Sequence, residues 1–179
     1  SRIMKTSRGF DQCYNAQAAV NEDMLIVGTY SNAHANDKEE FIPVVNSVAP
    51  ELGMIKTAVA DGGYFSENNV LKIQEQGIEP IIATAREKHN SFLEAYLKKQ
   101  DITTECTTVM EQMNQRLKSK EGADTYKKRK QTVEPVFGII KETLGFRRFS
   151  LRGEQQTDGE WSLVCLAYNL KRLFRLSIA

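Results

Sequence analysis

The sequence predicts a mixed α/β sheet flanked by helices, and three features carry that prediction. Two apolar segments separated by a polar turn near the N-terminus read as an antiparallel hairpin. Two short buried strands, 56–60 and 79–84, stand one helix apart, the spacing of a βαβ unit with parallel pairing. The C-terminal third repeats apolar residues at helical spacing.

In chain order, a basic, glycine-containing lead-in precedes residues 13–20, where Tyr14, Ala16, Ala18 and Val20 alternate with Asn15 and Gln17 as on a strand with one polar face. Asn21, Glu22 and Asp23 supply turn chemistry before the apolar run 24–30, the deeper strand of the pair. Asn36 or Asp37 caps a predicted helix over 37–49 with Phe41, Val44, Val45 and Val48 as its inner stripe, and Pro43 delays its start. After the strand 56–60 the chain turns through Asp61-Gly62-Gly63. Ser66 then caps a helix to Gln76, with Val70, Leu71 and Ile73 inward and Gly77 as its stop. Residues 86–123 break this rhythm as a polar loop-and-helix insertion with short apolar patches at 92–93 and 110–117. From 157 to 178, Trp161, Leu163, Val164, Leu166, Leu170, Leu173, Phe174 and Ile178 recur at helical spacing, so that segment is read as a packing helix. The expected organisation is a single partial catalytic domain, 1–179. Its parts are the sheet and first helices (1–85), the insertion (86–123), and a Glu134-bearing helix with the packing helix (124–179).

Composition excludes several classes. At 179 residues, 41% hydrophobic and 26% charged, the chain has the make-up of an ordinary globular domain. No run reaches the ~20 apolar residues of a membrane span. Cys13, Cys106 and Cys165 are odd in number and widely spaced, which favours reduced thiols over a disulfide frame or a zinc site. With only His34 and His89 as imidazoles, any metal must be held by carboxylates; both histidines read as surface or helix-flanking groups. The net charge of +1 conceals a division. Residues 1–115 carry 10 Lys and Arg against 16 Asp and Glu, and residues 116–152 carry 11 against 4. A polyanion partner is therefore compatible with near-neutrality. The chain opens at Ser1 in mid-pattern, as a piece of something longer would.

Two carboxylates stand out. Asp61 ends a buried strand, the place where α/β sheets bind ligands; equally, an Asp-Gly pair forms an ordinary self-bonded turn. At 100° per residue, Tyr126, Val133, Phe137, Ile140 and Leu144 share one buried face, and Glu134 lies at its edge with Lys130 and Lys141. Glu134 is then either a metal ligand in a cationic crevice or the partner of Lys130 on a solvated helix. Pro135 directly after it predicts a kink or restart there. Hard divalent cations take one or two carboxylates plus water and phosphate, and a pair of such ions serves phosphodiester displacement. A third carboxylate is wanting. Arg147, Arg148 and Arg152, clustered past that helix, suit phosphate contact, whereas Phe146, Phe149 and Trp161 read as core.

The strings GFDQCYNAQAAV, AVADGGYFS, TAREKHN, YKKRKQTVEPVFGIIKETLGFRRF and LRG, in that order, resemble the catalytic region of DDE transposases of bacterial insertion sequences. The resemblance implies a ribonuclease H-like fold and an Asp-Asp-Glu triad binding two Mg²⁺, with Mn²⁺ as a substitute. Asp61 would be the second Asp and Glu134 the Glu. Tyr126, Arg129, Glu134 and Lys141 resemble the family's Tyr-Arg-Glu-Lys signature, whose basic members contact DNA. The Arg129–Glu134 spacing is one residue longer than the common version, which leaves Arg129 or Lys130 for the arginine's role. The family's first Asp lies on a strand before the YNAQ string. Asp11 and Asp23 do not match that position, so the resemblance implies a sheet without its first strand and an incomplete triad. The expected protein is a bacterial cytoplasmic, nucleoid-associated transposase fragment. Intact, it would cut and join transposon ends and target DNA as a homodimer. The alternatives are a non-catalytic DNA-binding remnant or a ribonuclease H-like nuclease.

Overall fold

The computed structural model describes residues 2–6, 9–84 and 108–178, and they fall into two compact units, 56–126 and 1–55 with 127–179. The predicted positions His89, Cys106 and the insertion up to residue 107 lie outside the described residues.

The unit 56–126 is built on a parallel pair, β5 (Thr57–Ala60) and β6 (Glu79–Ile82), in the register Thr57↔Glu79 to Ala60↔Ile82. A tight turn cannot join parallel strands, and α2 (Glu67–Glu75) makes the crossover. Local chemistry sets both its ends. Ser66 Oγ accepts from Asn69 N at 3.1 Å, and Gly77, at φ +75°, lets the chain leave the helix and bring Ile78 N to Ile73 O. Val70 and Ile73 are buried as expected. Leu71 faces solvent instead, since residues one apart on a helix point about 100° apart and cannot both face the strands. α3 (Val109–Lys118) starts at a capping box, in which Thr108 and Glu111 each bond the other's backbone N–H, and buries Met113.

The other unit holds two antiparallel hairpins. β3 (Asn15–Val20) pairs with β4 (Ile26–Asn32), as the alternation predicts. Two boundaries differ. Tyr14 separates β3 from an earlier strand, and Met24, at φ +61°, belongs to the turn. The lead-in is itself a hairpin of β1 (Arg2–Thr6) and β2 (Gly9–Cys13). Its strands are short and their described side chains almost all exposed, so no hydrophobic run announced them. The predicted helix over 37–49 is broken up: a 3-10 turn at Asp37–Glu39 capped by Asn36, a short α1 (Phe41–Asn46), and another 3-10 turn at Pro50–Leu52. Pro43 sits in the first turn of α1, where its missing N–H costs no bond. Gly28 of β4 lies against the end of α1, where an added Cβ would meet Ser47 Oγ at 2.6 Å.

Two long helices run in this unit. The first, α4 (Lys120–Gly138), belongs to it from residue 127, runs on through Pro135 without the predicted break and passes into a π turn, Ile139–Thr143. Gly145, at φ +72°, then reverses the chain. α5 (Glu154–Ser177) buries Thr157, Trp161, Cys165 and Tyr168, a stripe at i, i+4, i+8 and i+11. Trp161, Cys165 and Tyr168 join Ile26, Val136 and Ile140 in the core, with Phe137, Phe146 and Phe149 packed against it. The packing helix therefore does pack, but through a face only partly the predicted one. Leu163, Leu166, Leu170, Leu173, Phe174 and Ile178 are exposed.

α5 also acts towards β4 as a neighbouring strand would. Asn169 accepts from Ile26 N at 2.9 Å and donates to Ile26 O at 2.7 Å, and Asp158 accepts from Ser31 N at 2.9 Å. These side chains satisfy edge groups that would otherwise be orphaned.

Candidate active site

Asp61 follows the last residue of β5, where the strand hands its direction to the turn Gly62–Tyr64. It is half-buried, and its Oδ1 accepts from Gly63 N at 2.9 Å, so the carboxylate caps its own loop. That bond occupies one oxygen and fixes the side chain at the strand's C-terminal end, the position from which an α/β sheet presents ligand-binding groups. A cleft of about 490 Å³ in the same unit is lined by Gln74, Glu79, Met113, Arg116 and Thr125 among others, and Asp61 is not part of it.

Glu134 projects from α4 in the other unit. Val136 and Ile140, both fully buried, and Phe137, stacked on Trp161 with ring centroids 6.0 Å apart and planes at 16°, fix the rotation of this helix. Two residues before that buried run, Glu134 stays half exposed. Its Oε1 lies 3.5 Å from an Nη of Arg129, whose side chain is only 16% exposed. The sequence offers Lys130, one turn back, as one possible partner of Glu134; the structure sets Arg129 against it, and Lys130 is exposed. Arg129's longer side chain and planar, forked head reach further than an ammonium.

The remaining basic candidates divide by what they already touch. Lys141 is exposed, its Nζ 5.9 Å from the Phe137 ring centroid. Arg147 forms an ion pair with Glu142, while Arg148 and Arg152 are exposed on the segment between the π turn and α5. Tyr126 is half-buried on α4. Lys128, which the sequence did not single out, lies 2.7 Å from Glu22 Oε1 and holds that carboxyl below its usual range through the bond and its charge. Phe146 and Phe149 serve as the predicted anchors. They meet edge-to-face at 5.4 Å, Phe146 also packs on Trp161, and Tyr14 closes on Phe149. This aromatic cluster holds the Arg147–Arg148 segment against α5.

One polar network escaped sequence reasoning. Glu40 is buried to 1% exposure, accepting from Asn32 Nδ2 and facing His34 Nδ1 at 2.9 Å. Beside it, Asn15 Nδ2 and Gln17 Nε2 donate to Asp37 Oδ1 at 2.7 and 3.1 Å. The asparagines and glutamine on alternate strand positions were the available signal: buried amides on a strand need acceptors, and Asp37 and Glu40 follow within eight residues of Asn32.

Among the described residues, no three of His, Cys, Asp and Glu come together to hold a metal ion. Asp61 and Glu134 nonetheless offer only oxygen donors at accessible positions, the donor chemistry that Mg²⁺ takes when phosphate and water complete its shell. No helix among the described residues is long and apolar enough to cross a membrane.

Comparison with known proteins bears on the same segment. Residues 94–174 match a family described as transposase DDE domain, a span that contains Glu134 and all seven basic and aromatic candidates but not Asp61. A protein named "Putative transposase for insertion sequence element IS402", from Burkholderia cepacia, is 32% identical over 73 residues, 37% of this chain and 35% of that protein. The chain thus spans about a third of the length of the curated relative it matches. No solved structure matches. The resemblance to insertion-sequence DDE transposases is borne out.

Proposed function

We propose that this DDE-transposase-like chain is catalytic-domain sequence of an insertion-sequence transposase, with a ribonuclease H-like fold. In the whole protein it would perform metal-dependent DNA strand cleavage and strand transfer as a homodimer on transposon ends and target DNA, in the bacterial cytoplasm at the nucleoid. Glu134 carries the reading. It is an accessible carboxylate on a core-anchored helix, held by Arg129, in the middle of the segment similar to the transposase DDE domain.

In this reading Asp61 and Glu134 hold Mg²⁺, with Mn²⁺ as a substitute. When bound, the ion lowers the pKa of a water or 3′-hydroxyl nucleophile and stabilises the leaving oxygen of the phosphodiester. The chain's own residues do the rest. The Gly63 N–H fixes the Asp61 rotamer, and Arg129 steadies Glu134 from the helix side. Lys130, Lys141, Arg147, Arg148 and Arg152, with Tyr126, take the DNA backbone. Asp11 is exposed on β2 and Asp23 lies in the turn after β3, so neither supports assignment as the triad's first Asp. Cleavage by these 179 residues alone is therefore not expected. The domain is read as sheet and first helices to residue 85, insertion 86–123, and the Glu134 and packing helices from 124.

Iron-directed backbone cutting tests the metal assignment without requiring turnover. With Fe²⁺, ascorbate and peroxide, cuts mapped by mass spectrometry are expected beside residues 61 and 134. Competing Mg²⁺ should suppress them, and each should disappear in Asp61→Asn and Glu134→Gln. Cuts elsewhere, or cuts indifferent to both substitutions, defeat the assignment. A second reading, a DNA-binding remnant without catalysis, rests on the triad's first Asp having no match at Asp11 or Asp23. Salt-dependent binding of duplex DNA without any iron-directed cut at 61 or 134 would select it.

A further inference from the structure

We propose that α5 pairs antiparallel with the α5 of a second copy of this chain, through a stripe formed by Leu163, Leu166, Leu170 and Leu173. Each of these leucines is half exposed or more, as is Phe174 at the stripe's edge. At 100° per residue the stripe lies opposite the face occupied by Thr157, Trp161, Cys165 and Tyr168, so the helix has two apolar faces and the core uses one. Contiguous exposed apolar surface beyond roughly a few hundred Å² marks an interaction site in a folded protein.

The spacing says what kind of partner fits. The steps 163, 166, 170, 173 alternate three and four residues, the pattern that seats side chains of one helix between those of another. Gly159 continues the series one step earlier, and a Cβ added there meets nothing within 4 Å. The stripe therefore begins in a notch and ends in the bulky pair Leu173 and Phe174. A second α5 running the other way brings bulk to notch at both ends, as a two-fold interface requires.

Charge selects the same partner and the same direction. Glu160 and Lys171 are eleven residues apart, about 20° on the helix, and so flank the stripe on one side, one near each end. Antiparallel pairing sets Glu160 of each copy towards the partner's Lys171. Parallel pairing puts the two copies' charged flanks on opposite sides of the interface, where no such pair forms. Glu160 is already held in place by the Ser150 and Leu151 N–H groups at 2.9–3.1 Å, so its charge sits at a defined point on the flank. The opposed helix dipoles favour the same arrangement. This rests on the two-subunit part of the function proposed above and not on its metal chemistry, so the iron-cutting result and the association result can fail separately.

The 179-residue chain is expected to sediment as a concentration-dependent dimer. Leu166→Glu with Leu170→Glu should weaken association at least 100-fold, with far-UV circular dichroism and Trp161 fluorescence retained. Lys171→Glu should weaken it several-fold, more so at low salt. Direction is read by disulfide formation: copies carrying Leu173→Cys should crosslink to copies carrying Gly159→Cys and not to each other. A monomeric wild type, a dimer that survives the double substitution, or crosslinking between Leu173→Cys copies overturns the proposal. An unfolded double variant also overturns it, since the chain itself would then be covering the stripe.

Discussion

Trp161 joins the helix carrying Glu134 to the rest of its unit, so truncating it should show how much of the fold depends on that junction. The indole is 2% exposed, stacked on Phe137 of α4, packed on Phe146, and its Nε1 donates to Gln17 O of β3 at 2.8 Å. Removing a fully buried aromatic side chain costs about 3–5 kcal/mol in transfer and cavity terms. The Gln17 carbonyl loses a partner worth about 1 kcal/mol. Trp161→Phe retains most of the ring contact and loses the hydrogen bond, for a cost of about 1–2 kcal/mol. Against a total stability of about 5–15 kcal/mol for a domain, the alanine variant would be marginal and the phenylalanine variant folded. Urea unfolding followed by far-UV circular dichroism measures both, independently of the lost tryptophan signal. An alanine variant within about 1 kcal/mol of wild type would mean that the aromatic stack does not hold α4 in place. Equal losses in the two variants would show that the hydrogen bond, and not the ring packing, carries the junction.

Two further outcomes follow from the basic residues and from the core thiol. Replacing Lys130, Lys141, Arg148 or Arg152 by Gln should each reduce the slope of log K against log salt for duplex DNA by about 0.9, read by fluorescence anisotropy. Arg129→Gln should leave that slope unchanged and cost under about 1 kcal/mol of stability, because its half-exposed partner Glu134 is screened by water. Burial pushes the Cys165 thiol from 9.0 to about 12, so at pH 8 it holds about a thousandfold less thiolate than an exposed cysteine and should resist alkylation in the native chain, unlike Cys13. Because the folded state holds that proton more tightly, the associated stability is complete below pH 9 and is lost as pH climbs towards 12. Peptide mapping after alkylation and urea midpoints from pH 7 to 10.5 check both halves.

Elements whose determinants lie within a few residues were legible in the sequence. Ser66 bonds three residues ahead, Gly77 takes the one conformation that ends α2, and Ala16, Ala18 and Val20 pack together on the core as their alternation reads. What was not legible depends on partners far along the chain. The inner face of α5 is chosen by Gln17, Met24 and Ile26, more than 140 residues away, which accept or exchange bonds with Trp161, Tyr168 and Asn169. Leucine spacing alone made the opposite face look equally suited to the core. Pro135 is a related case. Propensity predicts a break, but Val136 and Ile140, both fully buried just beyond it, tie the following turn to the core, and packing outweighs the lost backbone bond.

At the site, spacing left Arg129 and Lys130 as rivals for one role, and burial is what separates them. Neighbouring residues on a helix point about 100° apart, so the two are buried to different extents. The guanidinium of Arg129, only 16% exposed, meets Glu134, whereas Lys130 is an exposed residue. A shielded cation can hold a carboxylate in one orientation, and an exposed one can meet a phosphate. In the function proposed above, the family's single basic role is shared between two residues, one keeping Glu134 in place and one meeting DNA. That division is why Arg129→Gln and Lys130→Gln are expected to differ in salt slope, although the two side chains are consecutive and carry the same charge.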